Sequence, residues 1–272
     1  MLKQRVITAL ILLPLILGPI IWFPTPWLYV FLAGPGLIAA WEWTALMGMS
    51  ESTARYAYLA LVSALIAAAW YAGTLGHALW VVAVGAIWWL HALRLVAGYP
   101  ANFRQRPPGR LAMSAYGLLM LVPALLGLAM LHGADHGGRR IFFLFELVWM
   151  ADIGAYFAGR RFGKRKLAIE VSPGKSIEGA VGGFVASMLV AALSASWVFG
   201  AGRFDWLPML LLCALVIAVS IVGDLTESLF KRHRGVKDSG TLLPGHGGVL
   251  DRVDSVLAAA PVLALGLALS GI

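Results

Sequence analysis

Nine long apolar stretches run through the chain, at approximately residues 6–23, 27–47, 57–73, 78–97, 111–131, 141–159, 179–200, 206–230 and 252–271. A helix needs about 20 mostly apolar residues to cross roughly 30 Å of hydrocarbon, and these stretches are close to that length. Each is continuously apolar rather than alternating. A bilayer offers the backbone no water to bond with, so such a stretch crosses as a helix, whereas a barrel strand would alternate. The pattern predicts an all-α fold, a polytopic transmembrane helical bundle of about nine spans with short polar connections. The first stretch follows Lys3 and Arg5 in the manner of a signal peptide. It is longer than the roughly 7–15 apolar residues of a cleaved signal. Pro24, Pro26 and Trp27 follow it without a small-x-small site, so it is expected to stay as the first span.

Composition agrees with this placement. Of 272 residues, 60% are hydrophobic and 12% charged, against about 25% charged in a soluble domain. The net charge of +8 lies in the connections. With the N-terminus on the cytoplasmic side, sixteen Lys and Arg fall inside, at 3, 5, 55, 104, 106, 110, 160, 161, 164, 165, 166, 175, 231, 232, 234 and 237. Only Arg139, Arg140 and Arg203 fall outside, while Arg94 and Arg252 lie near span ends. That asymmetry predicts an N-in, C-out topology. No basic stretch interleaved with aromatics stands clear of the membrane, so nucleic acid is not an expected partner. Cys213 has no partner for a disulfide and sits in an apolar run, as a packing thiol would. Trp22, Trp27, Trp80, Trp149 and Trp206 fall near span ends and suit interfacial anchoring.

Polar chemistry is concentrated late in the chain. Residues 1–140 read as N-terminal transmembrane helices, and 141–272 as a catalytic transmembrane region carrying two polar cytoplasmic loops. Of 13 acidic residues, eight fall within 151–183 and 223–255: Asp152, Glu170, Glu178, Asp224, Glu227, Asp238, Asp251 and Asp254. Glu227, Ser228 and Lys231 share the helical face of Asp224, and Asp251 and Asp254 stand three apart at the opening of the ninth span. A charged group facing lipid is costly, so these carboxylates are expected to face an interior cavity, where two helix ends would offer oxygens to a divalent cation. Gly235, Gly240, Pro244, Gly245, Gly247 and Gly248 lie between the two helices; such glycines let backbone amides approach phosphate. Lys231, Arg232, Lys237 and Arg252 supply positive charge for two anionic substrates. His246 suits a phosphate ligand, a proton carrier or a structural hydrogen bond equally. In the earlier loop Pro173 and Gly174 signal a turn, and Lys175 and Ser176 stand at a helix start where phosphate binds well. G-x-x-x-x-G-K-[ST] is missing, so this is not a P-loop, and the other histidines show no zinc spacing. Asp152 and Tyr156, four apart, are candidate lining residues of the sixth span.

Taken together, Ser228, Lys231, Arg232, Lys237, Asp238, His246, Gly247, Gly248, Asp251, Arg252 and Asp254 resemble the signature of the phosphatidate cytidylyltransferases, or CDP-diacylglycerol synthases. The match is without departure over 27 residues. The 151–183 segment also looks like that family's upstream polar region, while the first 140 residues resemble it in hydropathy alone. The resemblance implies a magnesium-dependent reaction, with or without a second cation, of CTP with phosphatidic acid. Its products are CDP-diacylglycerol and pyrophosphate, in phospholipid biosynthesis. It further implies metal binding by Asp224 and Asp251, joined by Asp254 on the same helix face. The basic residues and the His-Gly-Gly turn would hold phosphates, with Lys175, Ser176, Ser228, Gly247 and Gly248 binding substrate. The expected setting is a bacterial inner membrane, the active site facing the cytoplasm.

Two other readings share features with this one. A CTP-dependent kinase of a polyprenol lipid would use the same nucleotide but transfer its terminal phosphoryl group. A cation- or proton-coupled transporter would place its acids near the bilayer midplane and repeat interrupted helices, and neither is evident here. A CDP-alcohol phosphotransferase would carry D-G-x-x-A-R, which is missing. Small residues in many spans suit both internal packing and a homodimer.

Overall fold

The structure, a computed structural model, describes residues 2–202 and 204–272, with side chains given for Thr8 and from Leu10 onward. Arg203 and the side chains of Lys3 and Arg5, which entered the charge count, lie outside the described residues. Nine long helices are present among the described residues: α1 (Leu2–Trp22), α2 (Thr25–Leu46), α3 (Ser52–Thr74), α4 (Ala78–Gly98), α6 (Arg110–Gly133), α7 (Gly137–Phe162), α8 (Ile177–Phe199), α9 (Trp206–His233) and α10 (Leu250–Leu269). A single short turn of helix, α5 (Ala101–Gln105), precedes α6. Seven of them, α3, α4 and α6 to α10, are long and apolar enough to cross a membrane. The protein is therefore a polytopic α-helical membrane protein.

An all-α expectation misses one element. A two-stranded antiparallel hairpin, β1 (Lys166–Ala168) and β2 (Ser172–Ser176), sits between α7 and α8. Its turn lies at 169–171, so Pro173 and Gly174 belong to the strand and not to a turn. Proline is tolerated there because a two-stranded sheet consists only of edges. Ser176 then ends β2 and caps α8, its Oγ accepting from Gly179 N at 3.1 Å.

At the centre of the bundle stand α6 and α10, the most enclosed of the spanning helices, with 61% and 56% of their apolar windows buried against 33% or less elsewhere. Lipid is as apolar as leucine, so close packing of small surfaces holds such helices together. Accordingly, Pro123 of α6 fits against Gly85 of α4, and Gly127 of α6 against the Ala260–Pro261 backbone of α10. The α7–α8 pair is closer still. A side chain at Gly183 would run into the Ala151 carbonyl and one at Gly154 into Ala186, while Ser187 Oγ donates to the Leu147 carbonyl at 2.6 Å. Small residues of these two helices thus serve packing within the chain. Cys213 is fully buried and unpaired with any other cysteine. Exposed Trp22, Trp27 and Trp80 lie near helix ends.

The connections assigned to one side by charge meet at one end of the molecule. Phe103 packs on Phe230 and His233, Gly48 lies against the Arg234 guanidinium, and Arg232 Nε donates to the Val171 carbonyl at 3.2 Å. Thr8 Oγ1 reaches the Pro244 carbonyl at 3.1 Å. At the opposite end, His132 Nε2 lies 3.0 Å from the Ile20 carbonyl and its Nδ1 2.9 Å from Thr25 Oγ1.

Candidate active site

The last turns of α7, the β hairpin, the first turn of α8 and the inner part of α9 enclose a cavity of about 390 Å³. Small residues make this space: Ala151, Ala155 and Gly159 from α7, Gly179 and Ala180 from α8. Its polar lining comes from Asp152, Tyr156, Arg160, Lys175, Ser176, Ser220, Asp224 and Ser255. Lys175, carried in by β2, pairs with Asp224 Oδ2, and Ser228 Oγ donates to Oδ1 at 3.3 Å. Asp152 and Asp254 both lie within electrostatic range of Asp224. The two polar segments, far apart in sequence, thus share one cavity. Asp152 and Tyr156 line it together, as their helical spacing predicts.

Further along α9 the charges are closed on one another. Lys231 Nζ donates to Glu227 Oε2 at 2.7 Å and to Asp251 Oδ1 at 2.6 Å. Asp251 Oδ2 accepts from the backbone of Ser239 at 2.9 Å and of Gly248 at 2.8 Å. Both Asp251 oxygens are therefore engaged. Among the described residues, Glu227 Oε1 is buried with no hydrogen-bond partner.

The loop between α9 and α10 folds back through a β-turn at 243–246, where His246 N donates to the Leu243 carbonyl at 2.8 Å. Pro244 supplies the fixed φ of its second position and Gly245, at φ +76°, the left-handed third. Gly247, also at positive φ, leaves room for the Asp251 carboxylate, and Gly248 for Ser239 and Glu42. The close approaches that require glycine here are thus to protein carboxylates. His246 gives its carbonyl to Arg252 Nε at 3.0 Å, while its Nδ1 is buried without a partner among the described residues.

Among the residues expected from sequence, Lys175, Ser176, Ser228 and Asp224 gather at the cavity, with Asp254 near them. Lys231, Gly247, Gly248 and Asp251 form the closed cluster. Arg232 and Arg252 are tethered by Nε to carbonyls at its edge, and Lys237 is exposed on the loop. Sequence reasoning missed Ser220, Ser255, Arg160 and, above all, Glu42. The last carried a signal, since an ionisable residue inside a predicted span needs an interior partner.

The family resemblance implies magnesium, and the donors fit a hard cation. Asp224, Asp254 and Asp152 with nearby serine hydroxyls offer only oxygen, and among the described residues no thiolate or imidazole lines the cavity. Among the described residues, no group of three or more His, Cys, Asp and Glu forms a ready-made shell. Magnesium is commonly held by one or two carboxylates together with substrate phosphates, and Asp224 at the cavity wall suits that manner of binding.

Fold and site together define an integral membrane protein with a cavity at one end of its helical bundle lined by carboxylates, cations and hydroxyls. A model of the cytidylyltransferase family matches residues 3–270, and the chain belongs to that family. It is 47% identical to the phosphatidate cytidylyltransferase of Pseudomonas aeruginosa over 264 residues, 97% of this chain and 96% of the relative. Those of Haemophilus influenzae and Brucella suis are 36% and 39% identical, covering 96% and 97% of this chain and 96% and 92% of their own lengths.

Proposed function

We propose that this protein is a phosphatidate cytidylyltransferase, converting CTP and phosphatidic acid to CDP-diacylglycerol and pyrophosphate. The observation that carries this reading is the meeting of Lys175 with Asp224 in one cavity, in a chain whose relatives over nearly its whole length are phosphatidate cytidylyltransferases. A nine-span, N-in topology places this end toward the cytoplasm, the side on which CTP is available, in a bacterial inner membrane. Positive charge concentrated at that end supports the orientation.

A phosphate oxygen of phosphatidic acid attacks the α-phosphorus of CTP, and pyrophosphate leaves. Transfer of this kind depends mainly on positioning and charge neutralisation. Lys175, Arg232, Lys237 and Arg252 offset the repulsion between the two anionic substrates. The Nε tethers of Arg232 and Arg252 orient their guanidinium groups while leaving terminal nitrogens for phosphate. Lys231 acts from within by fixing Asp251. Ser176 and Ser228 border the substrate phosphates, while Gly247 and Gly248 shape the turn that His246 steadies, the Gly248 amide being held by Asp251. Asp224 and Asp254 would hold magnesium, which when bound neutralises phosphate charge and stabilises the pyrophosphate leaving group. Asp251, both of whose oxygens already accept protein donors, would support them from the closed group rather than ligate the ion. The nucleophile is already an anion, so no strong general base is required.

Purified protein in detergent with magnesium, phosphatidic acid and CTP labelled at either the α or the γ phosphorus tests the reaction. Label in the lipid from the α position, with release of pyrophosphate, is the expected result. Label from the γ position, with release of CDP, would establish a lipid kinase instead.

A further inference from the structure

Glu42 lies near the end of α2, in the part of the chain that the signature does not reach, and is only 5% exposed. Its Oε1 accepts from Val249 N at 3.0 Å, and its Oε2 from Leu250 N at 2.8 Å and Ser239 Oγ at 3.2 Å. Every one of these partners is a donor, and all three lie about 200 residues away in sequence.

The first amides of a helix have no partner within it and are usually met by a side chain at the preceding position. At α10 that position is Val249, which cannot provide one. Glu42 supplies the cap from another helix, with a negative charge where the helix dipole favours it. Capping alone does not account for Ser239, whose hydroxyl belongs to no helix. Its backbone N–H is held by Asp251 and its hydroxyl by Glu42, so one residue joins both carboxylates. Gly240 and Gly248 leave the space that the Glu42 carboxyl fills. The loop is thus pinned at both its ends, at 239 and at 249–250, to a helix outside the signature.

We propose that Glu42 is a positioning residue for nucleotide binding, setting the 239–250 loop and, through it, Asp251 and Arg252. This rests on the reading of that loop as the holder of the CTP phosphates. It makes α2 a part of the active-site framework.

The test compares Glu42→Gln with Tyr29→Phe. The second removes a buried hydrogen bond from the far end of the same helix, Tyr29 Oη to the Ile66 carbonyl at 2.8 Å. Steady-state rates are measured with CTP and phosphatidic acid varied in turn, alongside hydrogen exchange of the 239–250 segment. Glutamine has one acceptor oxygen and turns an N–H₂ toward N–H groups, so it cannot hold all three partners. For Glu42→Gln the expected result is a rise of about tenfold or more in KM for CTP. KM for phosphatidic acid should move by less than about twofold, and exchange in the loop should quicken. Tyr29→Phe should change neither KM, and Glu42→Asp should recover part of the loss.

An unchanged KM for CTP in a folded Glu42→Gln protein would overturn the proposal, as would an equal rise for both substrates or the same shift in Tyr29→Phe. If Glu42→Gln does not fold, Ser239→Ala removes the third hydrogen bond alone and should raise KM for CTP about threefold; no rise would be equally decisive against it. An inactive wild-type protein would overturn the assigned reaction itself. The two failures are separable, because the Glu42 comparison is made only against an active wild type.

Discussion

Around Asp224, charged and hydroxyl side chains border a cavity; around Asp251, on the same side of the bundle, similar side chains are closed on one another. Both groups draw on α9, and both pair a lysine with an aspartate. They differ in how much bonding capacity is already used. Lys175 reaches Asp224 from the half-buried hairpin, and both side chains keep 25–30% of their surface exposed. Lys231 is 13% exposed, Asp251 6%, and every oxygen of Asp251 has a donor. The closed group fixes the angle between α9, α10 and their loop. The open group keeps room and unsatisfied capacity for substrate. A site of this type needs both, because a ligand-binding shell is only as well placed as the groups that support it.

Removing the charge from the closed group should have the largest effect. Lys231→Met leaves Glu227 and Asp251 buried without their cation, and the expected cost is about 3–5 kcal/mol of stability. Denaturant or thermal unfolding in detergent measures it, and wild-type stability would break the contrast between the two groups. Asp224→Asn should act in the opposite sense. Its unfolding should stay close to wild type while the rate of CDP-diacylglycerol formation falls by about 10²–10³-fold, as for loss of one transition-state contact. A variant as unstable as Lys231→Met would show that Asp224 is a second structural pair. Ser176→Ala sharpens the picture at the smallest scale. It removes the α8 cap at the cavity edge and should cost about 1 kcal/mol in the same unfolding measurement. A larger loss would mean that the hairpin and α8 unfold together.

Much of the fold is legible from hydropathy alone. The long helices begin and end within a few residues of the predicted stretches, as 78–97 against Ala78–Gly98 and 206–230 against Trp206–His233 illustrate. The hairpin was not legible. Its strands are three and five residues long, and Pro173-Gly174, a turn signal in isolation, is drawn into a strand by pairing of Ser172 with Ala168 and Ser176 with Lys166. Helical spacing foretold that Asp152 and Tyr156 would line one cavity and that Ser228 would reach Asp224. It did not foretell that Lys231 would be bound inward, since i+4 spacing names Glu227 as a neighbour but says nothing of Asp251 on another helix.

By itself, then, the sequence determined which stretches are helical and which residue types gather between them. Both follow from local quantities: the cost of leaving a backbone amide or a charge in hydrocarbon is set residue by residue. Tertiary structure alone decided how the charges are shared. Lys175 with Asp224, Lys231 with Asp251, and Glu42 with Ser239, Val249 and Leu250 are pairings across helices. Hydrogen bonding weakens steeply once partners are misplaced by more than about half an ångström, and the distances between helices are set by how glycines such as Gly183 and Gly223 let neighbouring backbones approach.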